Sequence, residues 1–247
     1  MIERETEDGI LTLRLAHGKA SVMDVELLEA LGTELEAAQD ARAVVLTGTG
    51  SIFSAGVDLF RVLDGGQAYV DRFFPLLAGF CRQLFALPVP VVAAVNGHAI
   101  AGGGVTALAA DYRLMAEGNG RIGVPEVLVG VPFPAAALEV VRFAVPRHRL
   151  QALVYTGSAR TPHEALADGL VDEVVAPDAL LPRAREVAAH LAALSPEVFR
   201  ATKQALRAET LARMDSAAAY DRDAHALWSA PETHDRIRAY MERIARK

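Results

Sequence analysis

Three consecutive glycines, Gly102 to Gly104, join a short apolar run (VVAAV, Val91 to Val95, then Asn96-Gly97) to a second apolar run, VTALAA. Glycines in that number at a strand-to-helix junction let another group approach bare backbone. A helix that starts there points unpaired N–H groups and the positive end of its dipole at that group. The junction therefore suits an oxygen carrying negative charge. Glu126 follows Ile122-Gly123-Val124-Pro125, which sets a carboxylate among apolar neighbours. Such surroundings raise a carboxyl pKa towards the range where it exchanges protons near neutral pH. A backbone anion site and a general base are the two parts of enolate chemistry. A phosphate loop is excluded, because neither GxxxxGK[ST] nor a strand-GxGxxG-helix unit with a ribose-binding acid is present. Each feature alone has a plain reading: a glycine turn packs tightly, and a lone glutamate sits at a strand end. A third segment, FSAGVDL (Phe53 to Leu59), strengthens the chemical reading, since it lies beyond the carboxyl end of a short apolar strand, where α/β architectures bind ligands.

The elements that position these residues follow from periodicity. Ile10 to Leu15 alternates as a strand, and a turn at His17-Gly18 follows. Asp24 is placed to cap an amphipathic helix that ends near Asp40. Ala43 to Thr47 and Val91 to Val95 are continuous apolar runs, as expected for strands covered on both faces. Between them, Ala68 to Leu87 reads as a helix with Phe73, Phe74, Leu77, Phe80, Leu84 and Phe85 on one face, ended by Pro88 and Pro90. That stripe reads equally as core or as pocket wall. YRLMA and RIGV are further short strands. Strand-strand-helix thus occurs at least twice, which implies repeated ββα units and not a doubly wound sheet. Beyond Glu126, Pro134 occupies an N1-like helix position and Pro146 closes that helix. A helix over Arg147 to Thr156, a turn capped by Thr161 and ended by Gly169, and a strand in LVDEVV come next. Four helical segments then run from Asp178 to the end, the last starting near Glu232. With no strand left, this tail must pack on the core or on a neighbouring subunit.

Composition narrows the function. The chain has 247 residues, enough for one main unit with a helical appendage, and its net charge of −6 offers no basic field for nucleic acid. Cys81 is the only cysteine, which excludes a disulfide framework and a cysteine metal site within one chain. No leader-like start and no apolar run of ~18 residues stand in the sequence, so a cytoplasmic protein without membrane spans is expected.

In their order and spacing, AVVLTGTGSIFSAGVDL, PVVAAVNGHAIAGGGVTALAADYRLMA, GVPEVLVGVPFP and YTGSARTPHEALADGLVDEVV resemble the enoyl-CoA hydratase/isomerase, or crotonase, superfamily. The resemblance implies an α/β fold with a spiral core of ββα units (1–190) and a helical C-terminal trimerisation region (191–247). It also implies acyl-CoA thioesters as substrates, no cofactor beyond the coenzyme A they carry, and trimers or dimers of trimers. Carried over residue by residue, it puts the oxyanion-hole N–H groups at Val57 and Gly103 and the proton-transfer carboxylate at Glu126. Ala55, Asp58, Leu59, Phe60, Gly102 and Thr106 become substrate contacts, with Asp58 to Phe60 continuing a loop over the nucleotide end of coenzyme A.

One departure sets the expected reaction. Similar hydratases have a second glutamate shortly after the glycines; here Thr106 stands at that position. Threonine exchanges no proton near neutral pH, and hydration shares its work between two carboxylates. Moving a double bond from C3 to C2 needs one, so an isomerase is expected ahead of a hydratase or a non-catalytic acyl-CoA binder. Thr106 is read as a core residue with its hydroxyl bonded one turn back. His98 is read as a local histidine with its hydrogen bonds satisfied, and Glu139 as a candidate second carboxylate that is expected to face away from the pocket. Lys203 and Arg207 are read as a solvated helix face, with coenzyme A phosphates as the alternative.

Overall fold

The computed structural model describes residues 1–245, and the last two positions of the expected helical tail lie outside them. β1 (Ile2–Glu7) and β2 (Ile10–Leu15) form an antiparallel hairpin. Its turn, Asp8-Gly9, has φ of 52° and 79°, the conformation of a tight two-residue hairpin loop. β2 follows its alternation, whereas β1 is exposed at five of six positions and carries no pattern that marks it in the sequence. β3 (Val22–Met23) leads into α1 (Val25–Ala37), where Asp24 Oδ1 accepts the N–H of Leu27 at 2.8 Å, the expected cap. A 3-10 turn at Ala38–Asp40 ends it.

Three ββα units follow. The first has β4 (Ala43–Thr47), β5 (Ile52–Ser54), the short β6 (Gly56–Val57) and α2 (Leu59–Ala86). The second has β7 (Val91–Val95), β8 (His98–Ile100) and α3 (Gly102–Leu108). The third has β9 (Tyr112–Ala116), β10 (Ile122–Gly123) and α4 (Glu126–Val129). Then come α5 (Ala135–Ala144), α6 (Arg147–Thr156), α7 (Pro162–Ala167), β11 (Glu173–Val175) and the helices α8 (Leu180–Ala192), α9 (Pro196–Asp215), α10 (Ala218–Trp228) and α11 (Pro231–Ala245).

The first strand of each unit joins one sheet, ordered β1-β2-β4-β7-β9-β11 and parallel apart from β1. The second strands join another, ordered β10-β8-β5, so the chain advances as a spiral with each unit one strand further along. β4 and β7 are buried at every residue, as their unbroken apolar runs require. Ala184, Val187 and Ala188 of α8 cover one face of this sheet, and α1, α2, α3 and α5 fill the other.

Three expectations need correcting. α2 starts at Leu59, nine residues before the expected Ala68, because Asp58 caps it and Gly66 (φ 55°) breaks it without ending it. Asp58 to Phe60 therefore form a helix start and not a loop. Pro134 is the N-cap of α5 instead of its first residue. α9 runs on to Asp215, past the expected Leu211.

Candidate active site

The glycine junction owes its sequence first to packing within the protein. A Cβ on Gly103 would lie 2.3 Å from the carbonyl oxygen of Ser54, and one on Gly104 2.5 Å from that of Gly123. Only glycine lets the first turn of α3 press against the ends of β5 and β10. The chain enters that turn through Ala101 at φ 52° and ψ −124°, a conformation rare for a residue with a side chain. Gly56 has φ +84°, and a Cβ there would lie 2.6 Å from Ile100 O and 3.1 Å from Gly102 N. These close approaches bring the β6 segment against the start of α3.

Hydrogen bonding then leaves a donor at the junction. The N–H of Ala55 bonds Ala20 O at 3.0 Å, that of Gly56 bonds Ser54 Oγ at 3.2 Å, and that of Asp58 bonds Met23 O at 3.0 Å. In a parallel ladder alternate residues face a given neighbour, so with Asp58 turned towards β3 the N–H of Val57 points to the other edge of β6. That sheet has only two strands, so the edge is open. Gly102, Gly103 and Gly104 occupy the first turn of α3, whose N–H groups have no intrahelical acceptor.

Glu126 is the first residue of α4 and is 7% exposed. Its Oε2 is buried with no hydrogen-bond partner. Loss of hydration pushes its pKa from 4.5 up to about 8, opposed in part by its own backbone N–H. α4 is one turn long and closes when Gly130, at φ 96°, takes the left-handed conformation. That turn fixes the carboxylate between Pro125 and Val129.

A cavity of about 430 Å³ lies against these groups. Ala55, Val57, Asp58, Leu59, Phe60, Gly102 and Glu126 line it, together with His98 and Val105. Gly103 and Thr106 do not. Thr106 is 3% exposed and its hydroxyl donates to Gly102 O at 2.8 Å, so it is the core residue of the plainer reading and makes no wall for a substrate. The apolar walls are Leu77 and Cys81 of α2, Val129, Val131 and Ala137, and then Trp228, Tyr240, Met241 and Ile244 from the last two helices. Cys81 offers surface and not a nucleophile, since burial and the nearby Glu126 push its thiol up to about 12.

Some residues behave otherwise than expected. His98 is half-buried and lines the cavity, and among the described residues its ring has no hydrogen-bond partner. Glu139 is 7% exposed, but Arg213 (2.6 Å) and Arg142 (2.8 Å) hold it and it does not reach the cavity. Lys203 and Arg207 are 6% and 4% exposed, both bound to Asp111, so neither is on a solvated face nor at this site. The stripe on α2 is both core and wall: Phe73 and Phe85 are sealed inside, while Leu77 meets the cavity. The walls from α10 and α11 have no local signal beyond amphipathic helices.

Known proteins are similar to this chain in sequence and fold. The profile of the enoyl-CoA hydratase/isomerase family matches residues 5–246. Over 212 residues the chain is 36% identical to the carnitinyl-CoA dehydratase of Salmonella arizonae, covering 83% of this chain and 79% of that one. It is 31% identical over 212 residues to the short-chain-enoyl-CoA hydratase of Clostridium acetobutylicum, covering 85% and 81%. The crystal structure of human mitochondrial delta3-delta2-enoyl-CoA isomerase superposes with a TM-score of 0.94 over 99% of this chain and 98% of that one; at 24% identity this likeness concerns the fold. With the spiral of ββα units, the glycine junction and the buried glutamate in place, and a profile match along nearly its whole length, the chain belongs to the enoyl-CoA hydratase/isomerase family.

Proposed function

We propose that this enzyme is a 3,2-enoyl-CoA isomerase that works with one carboxylate and a backbone oxyanion hole. The observation that carries the reading is Glu126, a buried, unpartnered carboxyl at the cavity, with Thr106 tied to Gly102 where a second acid would be needed. The ionised Glu126 takes a proton from C2 of a 3-enoyl thioester. The C–H electron pair moves into the C2–C1 bond, and the carbonyl π pair moves onto the thioester oxygen. The N–H of Val57 at the wall and that of Gly103, in the first turn of α3 directly behind the wall residue Gly102, hold the resulting enolate oxygen. When the carbonyl re-forms, the double bond shifts to C2–C3 and C4 takes the proton back from Glu126. No atom is gained or lost, so the reaction uses no cofactor beyond the coenzyme A of its substrate. Asp58, Leu59 and Phe60 line the cavity at the start of α2 and are the contacts for the part of the substrate outside it.

Hydration of 2-enoyl thioesters is the second reading, favoured by the hydratase and dehydratase among the relatives. A binder without catalysis is disfavoured, because a buried carboxyl without a partner costs stability and serves no packing role. Assembly as a trimer or a dimer of trimers, in the cytoplasm, completes the proposal. The test is to incubate the purified protein with 3-enoyl-CoA and separately with 2-enoyl-CoA and to separate the products. Conversion of the first with little hydration of the second is expected; fast hydration overturns the isomerase reading.

A further inference from the structure

A second cavity, of about 360 Å³, lies where α9 passes α5 and the start of β9, and it shares no wall residue with the Glu126 cavity. Lys203 and Arg207 stand in its wall, 6% and 4% exposed. One carboxylate serves both: Asp111 Oδ2 meets Lys203 Nζ at 2.6 Å and Oδ1 meets Arg207 Nη2 at 2.8 Å. Lys203 also donates to Val89 O at 2.9 Å, and Arg207 to Phe85 O near the carboxyl end of α2. Arg113, the remaining cation of the cavity, is matched by Asp172 at 3.1 Å.

The group therefore holds two buried positive charges against one negative charge. The carbonyl end of α2 offsets only about half of the excess. Donors also outnumber acceptors, since these bonds use two of three N–H groups on Lys203 and two of five on Arg207. A charge buried without full compensation is costly, and burial accordingly pulls the pKa of Lys203 down to about 8 and lowers that of Arg207. Beside the cations, the same cavity has Phe143, Phe199 and Leu206 in its wall.

We infer that this cavity is a second binding site, for a carboxylate with an apolar tail, whose head bonds Lys203 and Arg207 and whose tail lies on Phe143, Phe199 and Leu206. The anion supplies the missing negative charge and the acceptors, and the three side chains are covered in the same step. Octanoate is the probe, with 1-octanol as the uncharged control and inorganic phosphate as the tailless one. Titration calorimetry of the full chain should show octanoate binding the parent and Glu126→Gln alike, with both controls at least ~10-fold weaker. Thr202 is exposed at the mouth of the cavity, so Thr202→Trp should block entry, weaken octanoate at least ~10-fold and leave the circular dichroism spectrum unchanged. Crystals grown with octanoate should place its carboxylate within hydrogen-bond distance of Lys203 Nζ and Arg207. Absence of binding, equal binding of either control, an unaffected Thr202→Trp, or octanoate found only in the Glu126 cavity each overturns the inference.

Discussion

Glu126 is the carboxyl that the fold has dehydrated without giving it a partner, and its protonation governs both rate and stability. Abstraction from C2 needs the ionised form. With its pKa at about 8, kcat/KM for isomerisation should rise with pH and level off above about 8. A flat profile between pH 6 and pH 9 would remove Glu126 from the role of base. Glu126→Gln keeps the shape and loses the base, so turnover should fall ~100- to 10,000-fold while thioester affinity, read by titration, stays near the parent's. The same raised pKa makes a stability prediction with a fixed sign. The folded chain holds this proton where the unfolded chain has released it. The contribution is therefore complete below about pH 4.5 and is lost as pH rises through about 8. At ~1.4 kcal/mol per unit, the gap between 4.5 and about 8 sets a ceiling of roughly 5 kcal/mol. Thermal melts should find Glu126→Gln more stable than the parent at pH 9 and similar to it at pH 5; the reverse order contradicts the assigned environment.

At the scale of the element, the start of α3 makes demands on backbone that side chains elsewhere do not share. A Cβ at Gly103 would sit 2.3 Å from Ser54 O, a backbone atom that cannot swing aside. Gly103→Ala should displace α3 from β5, cost about 1–3 kcal/mol and lower Tm by several degrees, with a parallel loss of activity. Val57→Ala keeps its N–H and should change turnover only a few-fold. Equal effects of the two substitutions would argue against a donor role for backbone. α9 depends on a different device, the ion cluster at Asp111. Asp111→Asn leaves Lys203 and Arg207 buried without an anion, which should cost ~3–5 kcal/mol in urea unfolding. A loss below ~1 kcal/mol would mean that the cluster relaxes into water.

At the scale of the molecule, the last two helices wall the Glu126 cavity. Trp228, the only tryptophan, is 1% exposed, donates to Pro132 O at 2.8 Å and packs with Phe73 and Phe74, while also walling the cavity. Its emission should therefore shift when a thioester with an acyl chain binds, and coenzyme A alone should shift it little. A chain ended after Asp215 loses the walls given by Trp228, Tyr240 and Met241 and uncovers Phe73 and Phe74. It should bind a hydrophobic dye, lose thioester affinity in calorimetry and, by light scattering, fail to form the proposed trimer. Among the described residues no helix is long and apolar enough to cross a membrane.

The sequence determined whatever depends on near neighbours. Asp24 and Thr161 cap their helices, β4 and β7 are unbroken apolar runs, and Glu126 follows an apolar stretch, all within a few residues of the signal. The ββα repeat was legible for the same reason, since period and punctuation are local. α2 starts nine residues before its apolar stripe marks it, because the cap at Asp58 and packing carry the helix through the break at Gly66. Tertiary structure alone decided what lies against what. Lys203 meets Asp111 across 92 residues and Arg207 meets Phe85 across 122, so two residues with the look of a solvated face became a buried cluster. Trp228 reaches Pro132 across 96 residues to close a cavity whose polar end is built from all three units, the third supplying Glu126. Burial removes water from a charge only when distant segments arrive together, and no window along the chain contains both of them.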